Sequence, residues 1–156
     1  MRVSARPATG HEIRQLAQLA NEAVIEKLSQ RGGRLWSLLD LPTEPLTQSI
    51  TDAINSPTEL AAVGEIDGSI IGFAMARLVQ PADNTPPIAN LVAIHVDEPA
   101  RGVGVGEALM DLVLEWARHH KCAGLESTAL PGDRSTKNFF ESFGLVARAI
   151  RVHRAL

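Results

Sequence analysis

Ile94-His95-Val96-Asp97-Glu98-Pro99-Ala100-Arg101-Gly102-Val103-Gly104-Val105-Gly106-Glu107 is the stretch on which the fold turns. It opens on the end of an apolar run, Ala89–Val96, which stops at acidic residues and a proline as a buried strand would. Glycines then alternate at 102, 104 and 106. Behind them Val105, Ala108, Leu109, Leu112, Val113 and Trp116 recur at i, i+3, i+4, i+7 spacing, and Asp111, Glu115 and Arg118 take the other face. The spacing predicts a helix to about His120. A strand, a glycine turn and a helix N-terminus in succession make an anion site. First-turn amides lack intrahelical partners, the dipole adds partial positive charge, and glycines let phosphates approach the backbone.

Failed patterns narrow the choice of anion. The dinucleotide fingerprint G-x-G-x-x-G/A breaks at Glu107 when counted from Gly102, and at Leu109 when counted from Gly104. Glu126 stands about where a ribose-binding acid is expected, which does not repair the broken pattern. No G-x-x-x-x-G-K-[ST] occurs, so a P-loop is excluded. What fits is R-x-x-G-x-G, as Arg101-Gly102-Val103-Gly104-Val105-Gly106. Here the chain resembles the GNAT superfamily of acetyl-CoA-dependent N-acyltransferases, bacterial-type and single-domain. In that family this loop wraps the pyrophosphate of coenzyme A.

Composition bounds the rest. At 156 residues, one domain spanning 1–156 is expected, with enough chain for a core. Apolar content of 45% and charge of 21% suit a globular protein in water. A net charge of −3 lacks the basic footprint of a nucleic-acid binder. No apolar run approaches the roughly 18 residues of a membrane helix, and Met1–Pro7 has no signal-peptide core. The single cysteine, Cys122, excludes an internal disulfide or a cysteine metal cluster. A cytoplasmic protein without nucleic-acid, membrane or metal partners is the expectation.

Taken in order, Arg2–Arg6 reads as a strand. Thr9 and Glu12 have capping-box spacing ahead of a helix to about Ser29, striped by Ile13, Leu16, Ala17, Ala20, Ala23, Val24 and Leu28. Leu35–Leu39 is apolar and ambiguous. Thr43-Glu44-Pro45 opens a further helix with Leu46, Ile50, Ala53 and Ile54 on one face, ending before Pro57. Glu59–Ile66 and Ser69–Val79 flank Asp67-Gly68, a type I′ hairpin signal. After a proline-rich loop and the central strand and helix, Cys122–Leu130 reads as a strand and Asp133–Ser142 as a short helix. Gly144–Leu156 is expected to close the sheet, although Arg148, Arg151 and Arg154 at every third position would also suit an exposed helix face. The order β-α-α-β-β-β-α-β-α-β is that of an α/β layered domain. It is also the GNAT order, which implies a mixed, mostly antiparallel sheet, helices on both faces and a splayed central strand pair. The specific motifs lie between about 88 and 145; the N-terminal third matches only in its pattern of elements.

The resemblance carries roles to particular residues. The main chain of Ile94-His95-Val96 would bond the acetyl and pantetheine groups. Gly102, Val103, Gly104, Val105, Gly106 and Glu107 would offer amides to the pyrophosphate, with Arg101 at their head. The second family signature, N-x-x-A-x-x-x-Y-x-x-x-G-F, aligns with Asp133 through Leu145, where only Gly144 is kept unchanged. Asp133 takes the asparagine place in the coenzyme site. Phe140 replaces a tyrosine that often protonates the departing thiolate, and the chain contains no tyrosine at all. Release unassisted, or with a proton from water, is then required; Ser135 could relay one, or cap the helix. A glutamate sometimes found near the start of the central strand is here Asn90. His95, at the acyl end and on the face opposite Ile94 and Val96, is the candidate base, with an unperturbed pKa of about 6.5. His11, His119, His120 and His153 read as surface and Cys122 as core. The acceptor pocket is expected from the Arg31–Leu41 loop, the second helix and the residues leaving Val79, with Trp36 able to stack and Arg34 or Arg77 able to bind a carboxylate.

These readings imply direct acetyl transfer from acetyl-CoA to an amine of a small molecule or peptide, without a covalent enzyme intermediate. The acceptor, the acyl length and a homodimer, common in the resembled family, stay open. So do two competitors: a CoA-binding module with little catalysis, favoured by Phe140 and Asn90, and a nucleotide-binding α/β domain using the same turn.

Overall fold

The computed structural model describes residues 1–42 and 45–156. Strand β1 (Val3–Pro7) leads through a 3₁₀ turn, Gly10–Glu12, into helix α1 (Ile13–Leu28). The capping box forms as read. Glu12 accepts from the Thr9 amide and hydroxyl, the His11 amide bonds Thr9 Oγ1, and Arg6 pairs with the buried Glu12 carboxylate. The ambiguous Leu35–Leu39 belongs to helix α2 (Gly33–Leu39), which turns Trp36 into the core. Helix α3 (Leu46–Asn55) follows, with Pro45 as its N-cap in extended conformation. The predicted opening at Thr43 and Glu44 lies outside the described residues.

Strands β2 (Glu59–Ile66) and β3 (Ser69–Val79) form the hairpin, with Asp67 (φ +50°) and Gly68 (φ +82°) both left-handed as a type I′ turn demands. Strand β4 (Ile88–Val96), helix α4 (Val105–His119), strand β5 (Gly124–Glu126) and helix α5 (Arg134–Ser142) complete the elements. The sheet runs β1-β2-β3-β4-β5, antiparallel except for the parallel β4–β5 pair.

Both faces of the sheet are covered, which is why its strands read as near-continuous apolar runs. Ala61, Val63, Phe73, Met75 and Ala93 point to one face and meet Leu16, Leu19, Ala20 and Ala23 of α1, Trp36, and Ile50 and Ala53 of α3. Leu60, Ala62, Ala74, Ala76 and Leu91 point to the other and meet Val105, Leu109, Met110 and Val113 of α4 and Phe140 of α5. Helix α4 comes close because Gly64 has no side chain: a Cβ there would lie 2.6 Å from Val105 Cγ1.

Three expectations are corrected. An extra helix, α2, precedes α3. The strand predicted over Cys122–Leu130 pairs only at Gly124–Glu126, because past Glu126 the Ser127 hydroxyl takes the Leu91 carbonyl in place of a ladder bond, at 2.8 Å. Gly144–Leu156 neither closes the sheet nor forms a helix. Helix α5 stops at left-handed Gly144 (φ +85°), Leu145 N–H bonds Phe140 O, and the chain beyond runs exposed outside any strand ladder, touching the domain through Arg148 on Glu126 and Arg151 on Asp40.

Candidate functional site

The parting of β4 and β5 builds the centre of the site. Their ladder has three pairs, Ile88↔Gly124, Ala89↔Leu125 and Asn90↔Glu126. Beyond Leu91, the β5-facing edge of β4 has no strand beside it among the described residues. On its other side β4 carries a bulge: Met75 pairs with Ala93 and Ala76 with Leu91, leaving Val92 as the extra residue. Val92 and Ala93 therefore both face the α1 side, while Ile94 and Val96 pack towards α4. His95 takes the α1 side, as the sequence parity required.

The glycine turn has the form the sequence predicted. Gly102 (φ +80°) and Gly104 (φ +104°) hold left-handed conformations that other residues reach only with strain. Gly104 is the N-cap of α4, without a side-chain cap, and the first bond of that helix runs from Ala108 N–H to Gly104 O at 3.0 Å. The amides of Val105, Gly106 and Glu107 thus precede the helical ladder and point out of its positive end. No heavy atom beyond its chain neighbours lies within 4 Å of where a Gly102 Cβ would sit, so the turn opens onto free space. Gly106 serves packing as well: a Cβ would meet Phe139 Cε2 at 3.3 Å, so α5 lies directly on the first turn of α4.

Arg101 is turned away from this turn. Its Nε donates to Val96 O at 2.8 Å and its Nη2 to Glu26 of α1 at 2.6 Å. The Glu26 carboxyl is held below its ordinary range, first by that bond, against the opposing effect of burial. His95 Nδ1 lies 3.7 Å from the same carboxylate. Burial pushes the imidazole below its ordinary pKa, Glu26 raises it and Arg101 lowers it, so neutrality is favoured. Donor atoms of Glu22, His95 and Asp97 lie within 4.8 Å of one another. The spacing would suit a metal, but the Arg101 guanidinium beside Glu26 disfavours a second cation there.

Asp133 caps α5 by accepting from Thr136 N–H at 3.1 Å, and receives Lys27 Nζ at 2.6 Å. This ion pair ties α1 to α5. Burial alone would raise the Asp133 carboxyl, but the bonds from Lys27 and Thr136 outweigh it and lower it. Phe140 is buried in the core beneath α5, so the position of the usual phenol holds a packing residue. Cys122 precedes β5, its thiol pushed up by burial and so poor as a nucleophile.

On the α1 side the bulge borders a cavity of about 100 Å³. Leu39, Asp40, Leu41 and Pro42 supply one wall, and Glu59, Met75, Ala76, Arg77 and Val92 the rest. The expected loop and Arg77 are there. Trp36 is core and not a stacking surface, and Arg34 and α3 do not line the cavity. A wider depression at Arg2, Ser4, Glu65, Asp67 and Gly68 lies at the β1–β2 side of the sheet, far from β5. Sequence reasoning missed Glu22, Glu26, Asp40 and Glu59. Glu22 and Glu26, four apart and opposite the apolar stripe of α1, had the pattern of a solvated face.

A model of the acetyltransferase (GNAT) family matches residues 34–145. Over 96 residues the chain is 36% identical to an aminoglycoside N(6′)-acetyltransferase type 1 of Stenotrophomonas maltophilia, covering 60% of this chain and 61% of that protein's length. Among solved structures, aminoglycoside acetyltransferase AAC(6′)-Iy bound to a CoA bisubstrate analogue superposes over all of both chains, with a TM-score of 0.77 at 17% identity. A Bacillus halodurans protein also superposes over the whole of both chains, with a TM-score of 0.81 at 18% identity. A ribosomal-protein-alanine N-acetyltransferase of Brucella melitensis does so with a TM-score of 0.73 at 15% identity. The structural likenesses establish the fold.

Proposed function

Because the chain belongs to the acetyltransferase (GNAT) family, we propose that it is an acetyl-CoA-dependent N-acetyltransferase acting as one unit over 1–156. The single observation carrying this is the open, left-handed glycine turn leading into an uncapped helix start, beside the strand edge that parts from β5. In this reading the amides from Gly102 to Glu107 hold the pyrophosphate, and the main chain of Ile94, His95 and Val96 holds the pantetheine arm. Arg101 leaves Val96 O to pair with a phosphate. Asp133, fixed by Lys27, keeps the start of α5 against the same groove. The coenzyme supplies an activated acetyl thioester; the protein supplies orientation and pre-aimed dipoles.

The acceptor we assign is an amine on a small cationic molecule of aminoglycoside type. Glu59 in the cavity at the bulge suits an ammonium group, while Asp40 beside it is bonded to Arg151 at 2.9 Å, and the curated relative carries an aminoglycoside activity in its name. Amine attack needs a base. His95, kept neutral by burial, can take the proton directly or through water. The sulfur leaves without a phenolic donor, since Phe140 has no proton to give. The lone Cys122 accords with a reducing, cytoplasmic setting.

A second reading, CoA binding with little turnover, is favoured by Phe140 and Asn90. A thermal-shift titration with acetyl-CoA, CoA, NAD and ATP, followed by assay of thiol release with aminoglycosides and polyamines, separates the two. Stabilisation by the CoA species alone, with thiol release on a cationic amine, supports the enzyme. Stabilisation without release on any amine supports the binding module. No shift with CoA sinks both.

A further inference from the structure

Two side chains reach for one carboxylate oxygen at the open end of β4. Arg101 Nη2 lies 2.6 Å from Glu26 Oε2, and His95 Nδ1 lies 3.7 Å from the same atom. Only the guanidinium is within hydrogen-bond range, so Arg101 holds the carboxylate and the imidazole stands just short of it. The same arginine also covers the edge that β5 leaves free. Asp97 N–H bonds Ile71 O at 2.9 Å. The Val96 carbonyl, in the same planar peptide, therefore points the other way, onto that edge, where Arg101 Nε caps it at 2.8 Å. Other charges around His95 are Glu22 of α1 and Asp97, while β3 presents the uncharged Phe73. Lys27, the other cation near Glu26, is committed to Asp133. The His95 side chain is 8% exposed and that of Glu26 39%. The imidazole is thus held by packing and the carboxylate can turn; less than about 1 Å of movement would bring it into bonding range of Nδ1.

We propose that Glu26 is a positioning residue handed from Arg101 to His95 when the coenzyme enters, so that the base is set only in the loaded enzyme. This rests on the coenzyme reading above: pantetheine on the Val96 carbonyl and a phosphate at the glycine turn would draw Arg101 off both its partners. Glu26 then accepts from Nδ1–H, which fixes that tautomer and leaves the lone pair on Nε2 to take the proton of the attacking amine. Before the handover, burial and the guanidinium both hold down the proton affinity of the imidazole. Afterwards a carboxylate with no competing cation raises it. The empty site keeps a weak base and the loaded site a stronger one.

NMR of histidine-labelled protein gives the His95 titration, its resonance assigned by its loss in His95→Asn. Saturating CoA should raise the pKa in the parent by about one pH unit. Arg101→Gln should raise it without CoA. Glu26→Gln should remove most of either rise, the coupling that a cycle with Arg101→Gln isolates. In turnover, the acid limb of kcat, which reports the loaded enzyme, should lie above that of kcat/KM for acetyl-CoA, which reports the free one. The two limbs should draw together in Glu26→Gln. An Arg101→Gln rise that survives intact in the Glu26→Gln background overturns the handover, as does CoA that binds without moving the parent's titration. CoA that gives no thermal shift sinks the coenzyme reading and this trigger together; the coenzyme-free Arg101→Gln cycle tells that failure apart from one in the handover itself.

Discussion

Replacing Lys27 by methionine tests how α1 and α5 are held together. The ammonium sits 2.6 Å from Asp133 Oδ2, and the two side chains are 19% and 7% exposed. Without it the carboxylate keeps only the Thr136 amide at 3.1 Å and the Thr136 hydroxyl at 2.7 Å. Breaking a fully buried pair costs about 3–5 kcal/mol, and an exposed pair contributes about 0–1. This pair lies between, so a loss of about 2 kcal/mol is expected. At about 2.1 cal/mol/K per residue, a chain this long unfolds with about 0.33 kcal/mol/K, so Tm should fall by about 6 °C. The pH dependence has a definite sign. Asp133 titrates lower folded than unfolded, so its contribution is complete above the unfolded value of about 3.9 and fades as pH falls through the folded one. The gap between parent and variant should therefore be widest near neutrality and narrow below about pH 4. Adding Asp133→Asn to Lys27→Met should recover most of the loss, because asparagine caps a helix without needing a cation. Melting curves of the three proteins between pH 3 and 7 decide it. A variant within 1 °C of the parent at pH 7, or no rescue by asparagine, refutes the reasoning.

Other perturbations are as direct. Gly104→Val puts a β-branched residue at φ +104° with only Val3 Cγ1, at 4.0 Å, near its Cβ. It should lose about 1–2 kcal/mol of stability yet remain folded, and bind CoA at least about tenfold more weakly by calorimetry. Leu109→Ala empties a site with no solvent exposure against β2 and β3, and urea denaturation should show a loss of about 2–5 kcal/mol. If His95 is the base, the acid limb of kcat/KM lies below about 6.5, since burial lowers its pKa. His95→Ala should remove that limb and about 10²-fold of activity; a limb that persists assigns the base elsewhere.

Local chemistry made most of the fold legible. The Asp67-Gly68 turn, the Thr9–Glu12 box and the apolar stripe of α4 each specify their structure within a few residues, and each formed. The glycine turn was legible for the same reason, since positive φ is written into residue type. What stayed hidden depends on partners far along the chain. That Glu26 would meet Arg101 and His95, or Lys27 meet Asp133, follows from α1 crossing the sheet, and no local pattern on α1 announces it. Trp36 misled because an aromatic beside a loop looks the same in sequence whether it faces a pocket or the core. The segment after Gly144 has the alternation of a strand, but alternation alone does not supply a ladder partner, and the chain there runs exposed outside the sheet.

The extra residue at Val92 sets the parity of everything after it on β4. Were all its residues kept and the bulge ironed out, the alternation would turn every later side chain over. The imidazole at 95 would face the α4 layer, and Ile94 and Val96 would face the carboxylates of α1. Deleting the extra residue has the opposite result: Leu91 and Ala93 would become ordinary neighbours opposite Ala76 and Met75, and His95 would stay on its present face. A homologue one residue shorter here could keep the same sheet and the same titratable wall, whereas one that kept the length and lost the bulge would present an oil-like wall in its place.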